Sequence, residues 1–170
     1  MVEIICNATP LINFASISCL DILKSLFTEI VIPQAVYSDT VESGFPNSET
    51  ILKEIEAGWL NVKLVEEMPE SIPLALDAGE REAIALALSE QKPRVILDKK
   101  RDKKVAQELG LNVIGTLGIL ILAKRNRIIS QVKPLLDAMM TKAQYWVNES
   151  LYHSVLQAVS EDETETLNNL

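Results

Sequence analysis

The chain contains one histidine and two cysteines in 170 residues. A lone His153 excludes two-histidine acid–base ribonuclease chemistry within one chain, and histidine-rich zinc sites with it. A Ser-His-Asp triad would have to run through His153, inside an amphipathic C-terminal segment and with no GxSxG elbow in the chain. A helix-surface residue is therefore the expected reading. Cys6 and Cys19 form neither a CxxC pair nor a dense framework, so two buried or half-buried thiols are expected. Long hydrophobic runs are missing too: none approaches the roughly 20 residues that cross a bilayer. The opening Met1-Val2-Glu3-Ile4-Ile5 lacks the basic stretch and small-residue cleavage site of a signal peptide. The expected setting is the reducing cytoplasm, without a membrane partner.

Positive charge is also in short supply. Sixteen Lys and Arg face 24 Asp and Glu, a net charge of −8, which is the wrong sign for a general nucleic-acid coat. Part of the excess lies in Glu161-Asp162-Glu163-Thr164-Glu165. This predicts an acidic, disordered tail over 161–170 behind a single domain over 1–160. The bases cluster instead: Lys92, Arg94, Lys99, Lys100, Arg101, Lys103 and Lys104 in one stretch, Lys124, Arg125 and Arg127 in another. Such patches suit a short RNA or, more commonly, a solvated helix face.

Short apolar runs bounded by turn chemistry predict strands at Val2–Cys6, Glu29–Ile32 and Arg94–Asp98, with a further strand at Leu111–Ile114. Leu60–Val65 alternates as a half-exposed edge strand does. Between them lie helical patterns. Thr9 and Pro10 are placed to cap and open the first, another covers 34–41, and an apolar one follows Asp77-Ala78-Gly79-Glu80. Two more close the chain near 132–142 and 148–159. Alternating strands and helices imply right-handed crossovers and a three-layer α/β/α sandwich around a mainly parallel, five-stranded sheet. Function in such sheets collects beyond the C-terminal strand ends. Asn7 and Asp98 occupy such ends.

Carboxylates far apart in sequence are what a divalent-metal nuclease requires, since magnesium takes hard oxygen ligands from several elements. The candidates are Asp98 at a strand end, Glu82 opening an apolar helix, and Asp39 late in the helix after Pro33. Each has an ordinary reading as well. Glu80 and Glu82 suit a helix N-terminus through its dipole, Asp98 can cap the basic helix that follows, and Asp39 fits a surface position. Asp98-Lys99-Lys100 also matches a D-x-K nuclease pattern, though so short a match is common by chance.

Five segments, in order, resemble the PIN-domain family, in particular its branch of predicted nucleic-acid-binding proteins of unknown function. They are Cys6-Asn7-Ala8-Thr9-Pro10-Leu11-Ile12, Ile32-Pro33-Gln34-Ala35-Val36-Tyr37, the run from Asp77 through Ala87, Val95-Ile96-Leu97-Asp98, and Ile114-Gly115-Thr116-Leu117-Gly118-Ile119-Leu120. The resemblance spans about Val2 to Val159. It implies Mg²⁺- or Mn²⁺-dependent endoribonuclease activity, as in VapC-like toxins of toxin–antitoxin pairs, with RNA and an antitoxin protein as partners and a homodimeric assembly. The family's acids fall on Asn7, Asp39, Glu82 and Asp98 as catalytic residues, with Asp98, Glu82 and Asn7 as metal ligands. Thr116 offers a further hydroxyl. Two departures imply an alternative. Asn7 stands where most active members carry Asp, and Lys99 stands where many in this branch carry a second acid. With charges missing, the domain becomes a catalytically degenerate module that binds RNA or protein.

Overall fold

The computed structural model of the chain describes residues 3–90 and 94–162. Its centre is a sheet of β1 (Glu3–Cys6), β2 (Glu29–Pro33), β3 (Leu60–Lys63), β4 (Arg94–Ile96) and β5 (Asn112–Ile114). The strands lie in the order β3-β2-β1-β4-β5 and every pair is parallel. Register is set by Ile4 opposite Ile30, Cys6 opposite Ile96, and Ile96 opposite Ile114. Leu60–Lys63 is an edge strand, as its alternation predicts.

The period-two geometry of a strand sends neighbouring side chains to opposite faces, and here both faces are apolar. Ile4, Cys6, Ile30, Ile32 and Ile96 face one layer of helices. That layer is α1 (Ala8–Ser16), α2 (Leu20–Leu26), α7 (Thr116–Arg125), α8 (Lys133–Lys142) and α9 (Glu149–Ala158), contributing Leu11, Phe14, Leu23, Leu120, Met139 and Val155. Ile5, Val31, Val95 and Leu97 face α5 (Ala78–Ser89) and α6 (Lys100–Glu108) through Ala83, Ile84, Ala87 and Ala106. The three-layer sandwich inferred from the strand–helix alternation is the architecture observed, with the sheet parallel throughout.

Several local expectations are revised. The first helix begins at Ala8, with Asn7 as its N-cap residue and no side-chain cap bond, so Thr9 lies inside it. The single helix expected over 34–41 divides into α3 (Gln34–Tyr37) and a π-helical turn, Ser38–Glu42. A wide turn of this kind re-aims the side chains it carries, Asp39 among them. Glu161 and Asp162 are not a solvated tail. Glu161 accepts from Lys124 Nζ at 2.8 Å and from the Val132 and Lys133 amides at 2.8 and 2.9 Å, which closes the N-terminus of α8. The rest of the expected tail and Lys92 lie outside the described residues. Cys6 is buried and Cys19 half-buried, both free thiols, and His153 is partly exposed on α9, all as expected. Much of α7 is ordinary core, with Ile119, Leu120 and Ala123 buried. No helix among the described residues is long and apolar enough to cross a membrane.

Candidate functional site

From β1 the sheet grows one way through β2 and β3, and the other way through β4 and β5. The crevice beyond the C-terminal ends of β1 and β4 is therefore the topological switch point, where ligands of open α/β sheets bind. Asn7 follows β1 and Asp98 lies just past β4, with Asn7 N donating to Ile96 O at 3.2 Å across the two strands. Asp39 lies on the π-helical turn reached through β2 and α3, and Glu82 on the first turns of α5. The connections of a parallel sheet thus bring all four expected residues to one rim.

There they bond to different partners. Asp98 faces α1 and α7. Its Oδ1 accepts from the Thr116 amide at 2.7 Å, and its Oδ2 accepts from Thr116 Oγ1 at 2.6 Å and from Asn13 Nδ2 at 3.2 Å. Gly115 is the N-cap of α7 and offers no side-chain oxygen, so Asp98 supplies the acceptor for the first turn. The cap expected for the basic helix is therefore made to α7, while α6, with Lys99 as its N-cap residue, has no side-chain cap. Burial pushes the Asp98 carboxyl above its ordinary range, against the pull of Thr116, Lys103 and Asn13. Gly115 leaves room for a cation: a Cβ there would lie 2.6 Å from Lys103 Nζ and 3.1 Å from Asp98 Oδ1.

Glu82 turns the other way. Its Oε2 accepts from Ala35 N at 2.7 Å, at the start of α3. Pro33 is the N-cap residue of that helix and brings no side-chain acceptor, so a carboxylate from α5 closes it instead. Asn7 is buried and Asp39 exposed, and both meet at Gly79. A Cβ on Gly79 would touch Asn7 Oδ1 at 3.4 Å and Asp39 Oδ2 at 3.6 Å. Partial burial, then the Asp77 charge, push the Asp39 carboxyl up.

Asp77, Glu80 and Asp102 lie beside these residues, in contact with Lys99 and Arg101. Asp77 and Glu80 form a capping box at α5, with reciprocal bonds of 2.9 Å. Glu80 is fully buried; its Oε1 accepts from Lys99 Nζ at 2.5 Å, and Arg101 donates to the capping-box oxygen, Oε2, at 3.4 Å. Beside it Asp102 is fully buried, with Arg101 Nε 3.5 Å from its Oδ1. Two adjacent buried carboxyls cannot both ionise cheaply. Burial and Glu80 push Asp102 up to about 6, while Lys99 and the Asp77 backbone hold Glu80 low despite its burial. A proton on Asp102 makes it a donor toward Glu80. The capping signal Asp77-x-x-Glu80 was legible in the sequence. The partnership of Glu80 with Lys99, 19 residues on, was not.

This donor set does not fit a divalent cation. Among the described residues no three His, Cys, Asp or Glu side chains gather as a metal site. Asn7 brings no charge, both oxygens of Asp98 are aimed at protein donors, and Glu82 is bound to backbone. The compensating positive charges are already in the chain: Lys103 beside Asp98, and Lys99 with Arg101 on Glu80. Magnesium needs near-octahedral oxygen coordination to offset its dehydration, and this rim presents ammonium groups instead.

Residues 3–161 match the family model DUF3368, described as a PIN domain. A solved structure with the same fold is a PilT N-terminus domain protein from the hyperthermophilic archaeon Sulfolobus solfataricus P2. It is 19% identical, with a TM-score of 0.51 over 86% of this chain and 98% of that one. At that identity the likeness speaks for the fold alone. No curated protein matches the chain.

Proposed function

The chain belongs to the PIN-domain family, and from that premise we propose that it holds single-stranded RNA at the C-terminal rim of its sheet without a resident metal ion, as a binding module rather than an efficient nuclease. The observation that carries this reading is internal charge compensation. Lys99 sits on Glu80 at 2.5 Å, and Asp98 spends its oxygens on Asn13 and Thr116. Carboxylates bonded in this way are part of the architecture, fixing the starts of α3, α5 and α7. The nucleic-acid partner comes from the family. The acidic net charge argues for a short, local contact rather than a long electrostatic track.

The test is an anisotropy titration of a labelled single-stranded RNA with and without EDTA, followed by gel analysis of the same RNA after incubation with Mn²⁺. The reading predicts binding that EDTA leaves unchanged and an intact RNA. Metal-dependent cleavage that disappears in Asp98→Ala and Glu82→Ala would overturn it.

One observation favours a second reading. Asn7, Asp39, Glu82 and Asp98 do share one rim at the switch point, as a Mg²⁺- or Mn²⁺-dependent endoribonuclease would place them. On that reading the chain is a toxin with an antitoxin protein partner, acting in the cytoplasm as a homodimer. The cleavage arm of the same experiment separates the two.

A further inference from the structure

Next to the rim lies a cleft of about 450 Å³ between α1, the loop before α4 (Ser48–Glu56) and the end of α8. One wall is a single face of α1, where Thr9, Ile12, Asn13 and Ser16 recur at helical spacing. The opposite lip carries Phe45, a residue 42% exposed, and Lys142 and Gln144 complete the lining. The volume is within the range of small-ligand sites, roughly 300–1,000 Å³.

Three features give the cleft a chemistry. It adjoins the site already described, because Asn13 lines it and donates the same amide nitrogen to Asp98 and to Thr116 Oγ1, each at 3.2 Å. Among the described residues its walls include Lys142 and no carboxylate, in a chain with 24 acidic residues. A second cleft, beside α8, sets three carboxylates, Asp137, Glu161 and Asp162, against the single cation Lys133, and so disfavours anions. Apart from Lys142 the polar groups are neutral, hydroxyls from Thr9 and Ser16 and an amide from Gln144, and they stand beside the apolar Ile12, Pro46 and exposed Phe45. Asn47 fixes the Phe45 loop by donating to Ser16 Oγ at 3.0 Å. Gln144 adopts φ 54 one residue past the C-cap of α8, the left-handed conformation in which helices commonly end.

We infer that this cleft is a nucleotide pocket. It takes one unstacked base of a single-stranded RNA, with the base against Phe45, its edge read by hydroxyl and amide groups, and its phosphate met by Lys142. Unpaired bases present a flat π-face together with donors and acceptors, and aromatic side chains beside neutral polar groups are how proteins receive them. The inference deepens the RNA-holding reading and rests on it. It places the strand on the α1–α8 side of the rim, away from the acidic Asp39 and Asp77.

The experiment uses the full chain and a fluorescein-labelled single-stranded RNA of mixed sequence, with anisotropy measured over a series of salt concentrations. Phe45 and Lys142 are both exposed, so Phe45→Ala and Lys142→Ala leave the core untouched, and unchanged melting temperatures confirm it. Phe45→Ala weakens binding about tenfold, the loss of one base–aromatic stack. Lys142→Ala lowers the slope of log K against log salt by about 0.7, one phosphate contact on a single strand. A duplex of the same sequence competes poorly. If wild type binds the RNA and both variants bind it equally well, the pocket is wrong and the RNA-holding reading stands. If wild type binds no single-stranded RNA, that reading falls and the pocket with it.

Discussion

Replacing Asp98 by alanine removes the acceptor from three donors at once: the Thr116 amide, the Thr116 hydroxyl and the Asn13 amide nitrogen. Thr116 and Asn13 are both buried, so water does not readily take over. Each orphaned donor costs about 1–3 kcal/mol. Part of this is recovered, because Thr116 Oγ1 and Asn13 Nδ2 keep their bond to one another at 3.2 Å. The variant is also spared the desolvation that pushes the Asp98 carboxyl up. The net expectation is a loss on the order of 3 kcal/mol, most of it from the uncapped start of α7. Urea denaturation followed by far-ultraviolet circular dichroism reads this directly. With a denaturant slope near 2 kcal/mol per molar, the midpoint falls by about 1.5 M. A carboxylate kept only to bind a cation behaves in the opposite way, since its removal from the empty protein relieves repulsion and stabilises the fold. An Asp98→Ala variant as stable as wild type, or more stable, would refute the structural assignment.

Two further perturbations test the rest of the charge arrangement. Asp102→Asn replaces a buried carboxyl whose folded pKa, about 6, lies above its ordinary value of 3.8. A raised value means that wild type has this contribution in full below about 3.8 and loses it as pH climbs through 6. The variant therefore gains relative to wild type by about 1–2 kcal/mol at pH 8 and by little at pH 4, measured by urea melts at both. A difference that does not change with pH contradicts the shared-proton pair. Glu161→Ala removes the acceptor from Lys124 and from the Val132 and Lys133 amides, costing about 1–2 kcal/mol at pH 7. Burial works to raise the Glu161 carboxyl, but Lys124 and the two amides outweigh it and hold it below 4.5. The wild-type advantage is thus complete above 4.5 and shrinks as pH falls through the lower folded value. Thermal melts at pH 7 that do not distinguish the variant from wild type would mean that Glu161 is no anchor.

The architecture was legible because it follows from local periodicity. Short β-branched runs such as Ile4-Ile5 and Val95-Ile96 carry no alternation, which marks strands covered on both faces, whereas Leu60–Lys63 alternates and sits at the edge. The rim location of Asn7 and Asp98 followed from the same logic. What each carboxylate bonds to did not. Asp98 and Thr116 are 18 residues apart, and Glu82 and Ala35 are 47 apart, so these pairs exist only once the crossovers have closed. Pro33 and Gly115 were visible as side chains that cannot cap, and each left a helix start in need of an acceptor from elsewhere. The basic stretch around and after β4 read as one surface patch. Folding splits it: Lys99 and Arg101 turn to Glu80, Lys103 turns to Asp98, and Arg94 lies over the Phe27 ring at 5.7 Å. Glu161 read as tail because charge density alone does not reveal that two backbone amides await it at α8.

On the proposed reading, ammonium groups of the chain itself occupy the role a divalent cation would have at this rim. Melting temperature measured against Mn²⁺ concentration, at constant ionic strength, tests it most directly. Ligands that bind only the folded state raise the melting temperature saturably. The account predicts a flat titration through the low-millimolar range in wild type, matching a Ca²⁺ control. A saturable Mn²⁺-dependent rise that Glu82→Ala or Asp98→Ala abolishes would contradict it.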